Sequence, residues 1–168
     1  MGSRWFRRSG LARSHGIQSD VTAASGDVLR FVDGSEFRIT KGAADTNGEN
    51  LEMEWWLPPS TETPPKHIHP RQREDYEVLE GAFEVFVRDG WHTVAAGESA
   101  SAPVGEVHTF RVGDRAVRVR NVHAPALDFE DYFAAESALM EAGRSGAIRA
   151  RGPSCTTRCC STSTATAW

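Results

Sequence analysis

Short stretches in which apolar and polar residues alternate recur through the middle of the chain, bounded by Gly, Pro, Asp-Gly and Asn-Gly, while runs with a helical period are scarce. Alternation with period two puts successive side chains on opposite faces of a strand, so the pattern predicts an all-β domain. Strands are expected over residues 28–31, 36–40, 51–57, 66–69, 75–80, 83–88, 91–95, 99–102, 107–112 and 116–122. The first two are joined through Asp33-Gly34 and read as a hairpin. In the third, Leu51, Met53, Trp55 and Leu57 share a face opposite Glu52, Glu54 and Trp56. Trp55 is therefore expected inside, and Trp56 outside among acids, where an exposed indole suggests a homodimer contact. A register slip of one residue would exchange the two. One helix is expected, over 129–142, where Phe129, Tyr132, Phe133, Leu139 and Met140 form an approximate apolar stripe. It is expected to pack on the outside of the strands.

Two segments of this β pattern carry chemistry. Residues 67–81 read HIHPRQREDYEVLEG and residues 97–108 read GESASAPVGEVH. Written as spacing rules they are H-x-H-x4-E-x6-G and G-x5-P-x-G-x2-H. Each would arise by chance in such a chain with probability on the order of 10⁻³. On a strand His67 and His69 point the same way. After a turn at 70–73, Glu74, Tyr76 and Val78 share the inward face and Asp75 and Glu77 the other. Gly81 suits the tight turn before a return strand in which Phe83, Val85 and Val87 share a face. His108, Phe110 and Val112 form one face of the strand after Gly105, with Val107, Thr109 and Arg111 on the other. Three imidazoles and one carboxylate, His67, His69, Glu74 and His108, suit Fe, Ni, Cu, Zn or Mn and leave coordination positions open.

Both segments resemble the two sequence motifs of the cupin superfamily, and the resemblance covers roughly residues 27–125. It implies a small antiparallel jelly roll or β-barrel. It also implies that one divalent transition metal is held by His67, His69 and Glu74 from the first motif and His108 from the second. The family's second motif usually continues to an Asn four residues after its His; here that place is Val112. Gln72 lies where some relatives carry a polar group near the metal. Trp55, Tyr76 and Phe110 would shape a pocket around it, together with Gln72 and Val112. Asn121 and His123 lie on one face of the 115–123 strand with Val117 and Val119. They read either as further pocket residues or as the polar end of a half-buried strand.

Charge divides the chain. All 23 Asp and Glu lie between Asp20 and Glu141 against 11 Lys and Arg there, whereas residues 1–19 and 143–168 each hold four Arg and no acid. An acidic central segment disfavours nucleic acid as a partner. Length and composition fit one modest domain, and no apolar run approaches the span of a bilayer. The organisation expected is a disordered basic leader over 1–22, a barrel over 23–127, a helix over 128–143 and a disordered tail over 144–168. The leader has the Arg- and Ser-rich composition of a transit peptide, yet a disordered leader or an over-extended start is the preferred reading, with a cytoplasmic location. The tail holds every cysteine, Cys155, Cys159 and Cys160, at spacings that make a poor zinc site. Back-translation of 152–168 suggests a reading-frame shift near Gly152.

The function expected is that of a mononuclear metal-binding protein acting on a small molecule. A dioxygenase-type oxidation of a phenolic or other small organic substrate comes first. A non-catalytic ligand-binding or sensory role and a metal-dependent isomerase, with His123 as its acid or base, are the alternatives.

Overall fold

The computed structural model describes residues 21–144. The cysteine-bearing tail and most of the basic leader, with the expectations attached to them, lie outside the described residues. Nine strands and one helix follow in order: β1 Val28–Arg30, β2 Glu36–Lys41, β3 Leu51–Leu57, β4 Arg73–Glu80, β5 Ala82–Val87, β6 Gly90–Ala95, β7 Ser99–Ala102, β8 His108–Arg111, β9 Val117–Ala124 and α1 Phe129–Arg144. They form two antiparallel sheets, one ordered β1-β2-β3-β9-β4-β7 and the other β6-β5-β8. The fold is all-β with one C-terminal helix, as the alternation implies. No helix among the described residues is long and apolar enough to cross a membrane.

Alternation decides what each strand buries. On β3, Leu51, Met53, Trp55 and Leu57 are buried while Trp56 is 45% exposed, so the register is the one expected. On β9, Val117, Val119, Asn121 and His123 point inward. Its outward arginines form ion pairs across the sheet: Arg118 between Glu54 on β3 and Glu80 on β4, and Arg120 between Glu52 at 2.9 Å and Glu77 at 3.1 Å. The exposed pairs among them, such as Arg120 with Glu77, contribute little each. The core between the sheets does more, with Phe110 of β8 packed against Trp55 and Tyr76, and Phe83 of β5 against Tyr76.

Two expectations about the elements are corrected. The 66–69 strand does not form; only His67 pairs, with His108, as an isolated bridge. Pro64, Pro65 and Pro70 flank it and lack the N–H groups a longer ladder needs. Thr109 lies on the face expected to be outward but is buried, because the 58–66 loop crosses over it and its Oγ1 donates to the Pro64 carbonyl at 2.6 Å.

The chain passes from the large sheet to the small one at Gly81, whose φ is +80°. A Cβ there would lie 2.8 Å from the Ala116 carbonyl oxygen. Gly81→Ala is therefore expected to destabilise the fold by at least about 2 kcal/mol, combining left-handed backbone strain with a clash against main chain. A urea unfolding midpoint equal to the unsubstituted protein's would refute this.

Candidate metal centre and its cavity

Four side chains from three places in the sequence converge at one end of the barrel. His67 and His69 come from the loop before β4, Glu74 from the start of β4 and His108 from the first residue of β8. One donor atom from each lies within 4.8 Å of the others. Glu74 is 3% exposed and His108 is fully buried. Glu74 Oε2 stands 3.0 Å from His108 Nε2 and 3.1 Å from His69 Nε2.

The hydrogen bonds behind the rings say what such contacts require. His108 Nδ1 lies 2.9 Å from the Glu106 carbonyl and His67 Nδ1 lies 2.8 Å from the Pro65 carbonyl. A carbonyl can only accept, so both Nδ1 atoms carry the proton and the neutral rings turn bare Nε2 lone pairs toward the cluster. A bare nitrogen and a carboxylate oxygen at 3.0 Å repel unless a proton or a cation lies between them. The donor set therefore fits a divalent metal: backed imidazoles, one ionised carboxylate, and mutual distances that a single ion spans.

Without an ion, a proton takes that place between Glu74 and His108. Burial pushes Glu74 upward, but His123, His108 and His69 around it hold its carboxyl well below the usual range. Burial works against a charged His108, yet its bonds to Glu74 and to the Glu106 carbonyl hold it above its ordinary value. His67 is lowered, chiefly by burial.

Behind these four lies a layer that sequence reasoning placed differently. Asn121, one of the expected pocket residues, instead donates through Nδ2 to Glu74 Oε1 at 2.9 Å, fixing the carboxylate from beneath. Gln72, another of them, donates through its amide to the carbonyls of Pro125 and Ala126. Its Oε1 is thus left to accept from His123 Nδ1 at 3.1 Å. Neither residue lines the cavity, and Val112 is packed in the hydrophobic core. Trp55, Tyr76, Phe110 and His123 do line it.

His123 is buried, and with Nδ1–H given to Gln72 its Nε2 is a lone pair without a hydrogen-bond partner, 3.5 Å from Glu74 Oε1. Burial pushes its pKa down to about 4 from 6.5. Between those values the unfolded chain binds a proton that the folded one refuses. Stability from this group is thus full above 6.5 and falls as pH drops through the window, by about 3 kcal/mol. Glu74, also depressed, adds a loss in the same direction further into acid, whereas the contribution of His108, raised, is present in acid and lost as pH rises. Metal-free protein is expected to show a lower urea midpoint at pH 5 than at pH 7, with a smaller difference in His123→Phe. An identical difference in the variant would contradict a buried neutral imidazole.

A cavity of about 550 Å³ opens from the cluster. The helix lies against β1 and β2 and forms a wall of this cavity. Phe129 lies with its ring 5.0 Å from His69 and 4.5 Å from His123, and Phe133 reaches Phe37 at 5.4 Å. Glu130 on the first turn accepts from the Ala43 amide at 2.8 Å, and Ser137 Oγ bonds both the amide and the carbonyl of Arg30, so the helix is tied at two points. The signal for this placement was in the sequence: Glu136 interrupts the stripe of Phe129, Phe133 and Met140, at a spacing that keeps all four on one helix face.

Residues 53–123 match the family model described as a cupin domain. Among solved structures, the chain is similar to KdgF from Halomonas, at 19% identity and TM-score 0.53 over 61% of this chain and 90% of the other. It is also similar to an RmlC-like cupin from Shewanella frigidimarina, at 19% identity and TM-score 0.52 over 64% and 88%. A third is a predicted oxalate decarboxylase from Thermotoga maritima, at 19% identity and TM-score 0.51 over 61% and 93%. At these identities the likeness is one of fold. No curated protein matches.

Proposed function

We propose, for a chain that belongs to the cupin superfamily through residues 53–123, that it binds one divalent transition metal and oxidises a small phenolic or similar organic substrate in a dioxygenase-type reaction. The observation that carries the reading is the meeting of His67, His69, Glu74 and His108 at the inner end of an aromatic-walled cavity. The ion is Fe, Mn, Ni, Cu or Zn, since the donor set is shared among them. When bound, it supplies Lewis-acid and redox chemistry and open coordination positions. The chain's own part is to hold the substrate and limit water. Trp55, Tyr76, Phe110 and Phe129 give an apolar wall against which an aromatic ring packs, and Asn121 keeps Glu74 in one orientation.

His123 gives a second reading specific support. Its unpartnered Nε2 is a proton acceptor beside the cluster, which an isomerase would need. A non-catalytic binding role uses the same pocket without turnover. Metal analysis of protein purified without chelators, followed by oxygen consumption with phenolic and keto-acid substrates, separates the three. The dioxygenase reading expects stoichiometric redox-active metal and substrate-dependent uptake. Metal with solvent-deuterium incorporation and no uptake would favour the isomerase, metal with neither would favour binding alone, and absence of metal would defeat both enzyme readings.

Association into a homodimer in the cytoplasm belongs to the same proposal. Trp56 stands exposed on the outer face of the large sheet. Trp56→Glu is expected to convert a dimer to a monomer in sedimentation; an unsubstituted protein that already sediments as a monomer would dispose of the idea.

A further inference from the structure

The end of the cavity away from the histidines has a chemistry of its own. Asp33, in the β1–β2 turn, and Glu136, half-buried on α1, both line it. No Lys or Arg among the described residues lines the cavity or forms an ion pair with either acid. Around them stand Phe31, Phe37, Tyr132 and Phe133, with Phe31 and Phe37 4.5 Å apart and Phe37 edge-on to Phe133. Two carboxylates beside aromatic rings attract a cation at the mouth of the cavity, because the ring faces and the carboxylates present negative potential together.

An independent observation indicates that this end is built for an occupant. Buried polar atoms are nearly always paired. Two that are not, Ser35 Oγ and Trp55 Nε1, belong to cavity-lining residues that are 3% and 2% exposed. Ser35 follows Asp33 by two residues, and its amide donates to Asp33 Oδ1 at 2.9 Å, so the hydroxyl and the carboxylate share one turn. Glu136 lies two helical turns beyond Phe129, which touches the histidines; that is about 10 Å along the axis. One aromatic ring with a short tail spans this distance.

We propose that the cavity takes an arylalkylamine, with its protonated amine between Asp33 and Glu136 and its ring toward the histidines, and that it rejects molecules with a carboxylate at that end. Burial and the neighbouring Asp33 push Glu136 upward, the shift of a carboxyl that lacks the positive partner this pocket would receive. The metal reading of the preceding section enters only in saying which end of the molecule meets Glu74.

Calorimetric titration of the full chain with phenethylamine and with 3-phenylpropionate, both before and after metal loading, tests the assignment. Phenethylamine is expected to bind at least about 10-fold tighter than phenylpropionate without metal, and Glu136→Gln and Asp33→Asn each to reduce that preference severalfold. Glu136→Gln is nearly isosteric, and Asp33→Asn changes an exposed turn without touching the helix, so either variant alone reports. Equal or tighter binding of phenylpropionate to metal-free protein, absence of amine binding, or an undiminished preference in the folded variants would overturn the proposal. Failure of the metal reading would show separately, as protein that retains no metal but keeps its preference for the amine.

Discussion

Replacing His69 with alanine is expected to abolish metal retention while leaving the barrel folded. His69 stands at the rim of the cluster with its side chain 12% exposed, outside the hydrophobic core. Its removal takes away one of the four donors that meet in the cluster, leaving His67, Glu74 and His108 with a shell that water must complete, which weakens retention of a labile divalent ion. Glu74 keeps Asn121 and His108 as partners, so no uncompensated charge is left in the interior. Metal content should fall to background with an unchanged circular dichroism spectrum and a modest shift in unfolding midpoint. Unchanged metal content in a folded variant would refute the ligand assignment.

Asn121→Ala is expected to weaken metal binding without removing a ligand. Asn121 Nδ2 is the hydrogen-bond donor that Glu74 Oε1 has at 2.9 Å, deep in the sheet. Without it a buried carboxylate oxygen loses its partner, at about 1–3 kcal/mol in the metal-free fold. The carboxylate is also free to rotate. Groups that orient a metal ligand typically account for about 10–100-fold in affinity, and a loss of that size is the expectation here. Competition with a chromophoric chelator measures it. Affinity unchanged within twofold would mean that Glu74 is held by the surrounding fold and not by this bond.

The two variants probe parts of the site that were unequally legible in the sequence. Glu74 and His108 were readable because alternation ties face to position, and both sit on strands with apolar neighbours two residues away. The 66–69 strand was misjudged because its flanking prolines weigh more than the His-x-His alternation. The roles of Gln72 and Asn121 could not be read at all. Each is explained by a partner about fifty residues distant, His123 and Glu74 respectively, and that pairing exists only once β9 lies between β3 and β4. The helix illustrates a different limit. Its period was clear, but an apolar stripe does not say which surface it covers. A carboxylate inside the stripe, Glu136, was the available hint that the face borders a cavity.

X-ray absorption at the metal edge, on the full chain purified without chelators and read together with the metal-to-protein ratio, decides whether His67, His69, Glu74 and His108 hold a metal. One divalent transition metal per chain is expected, in a shell of three imidazole nitrogens and at least one carboxylate oxygen, and lost in His69→Ala. Protein that carries no metal, or a metal whose nearest shell lacks imidazole or is unaffected by that substitution, would contradict it.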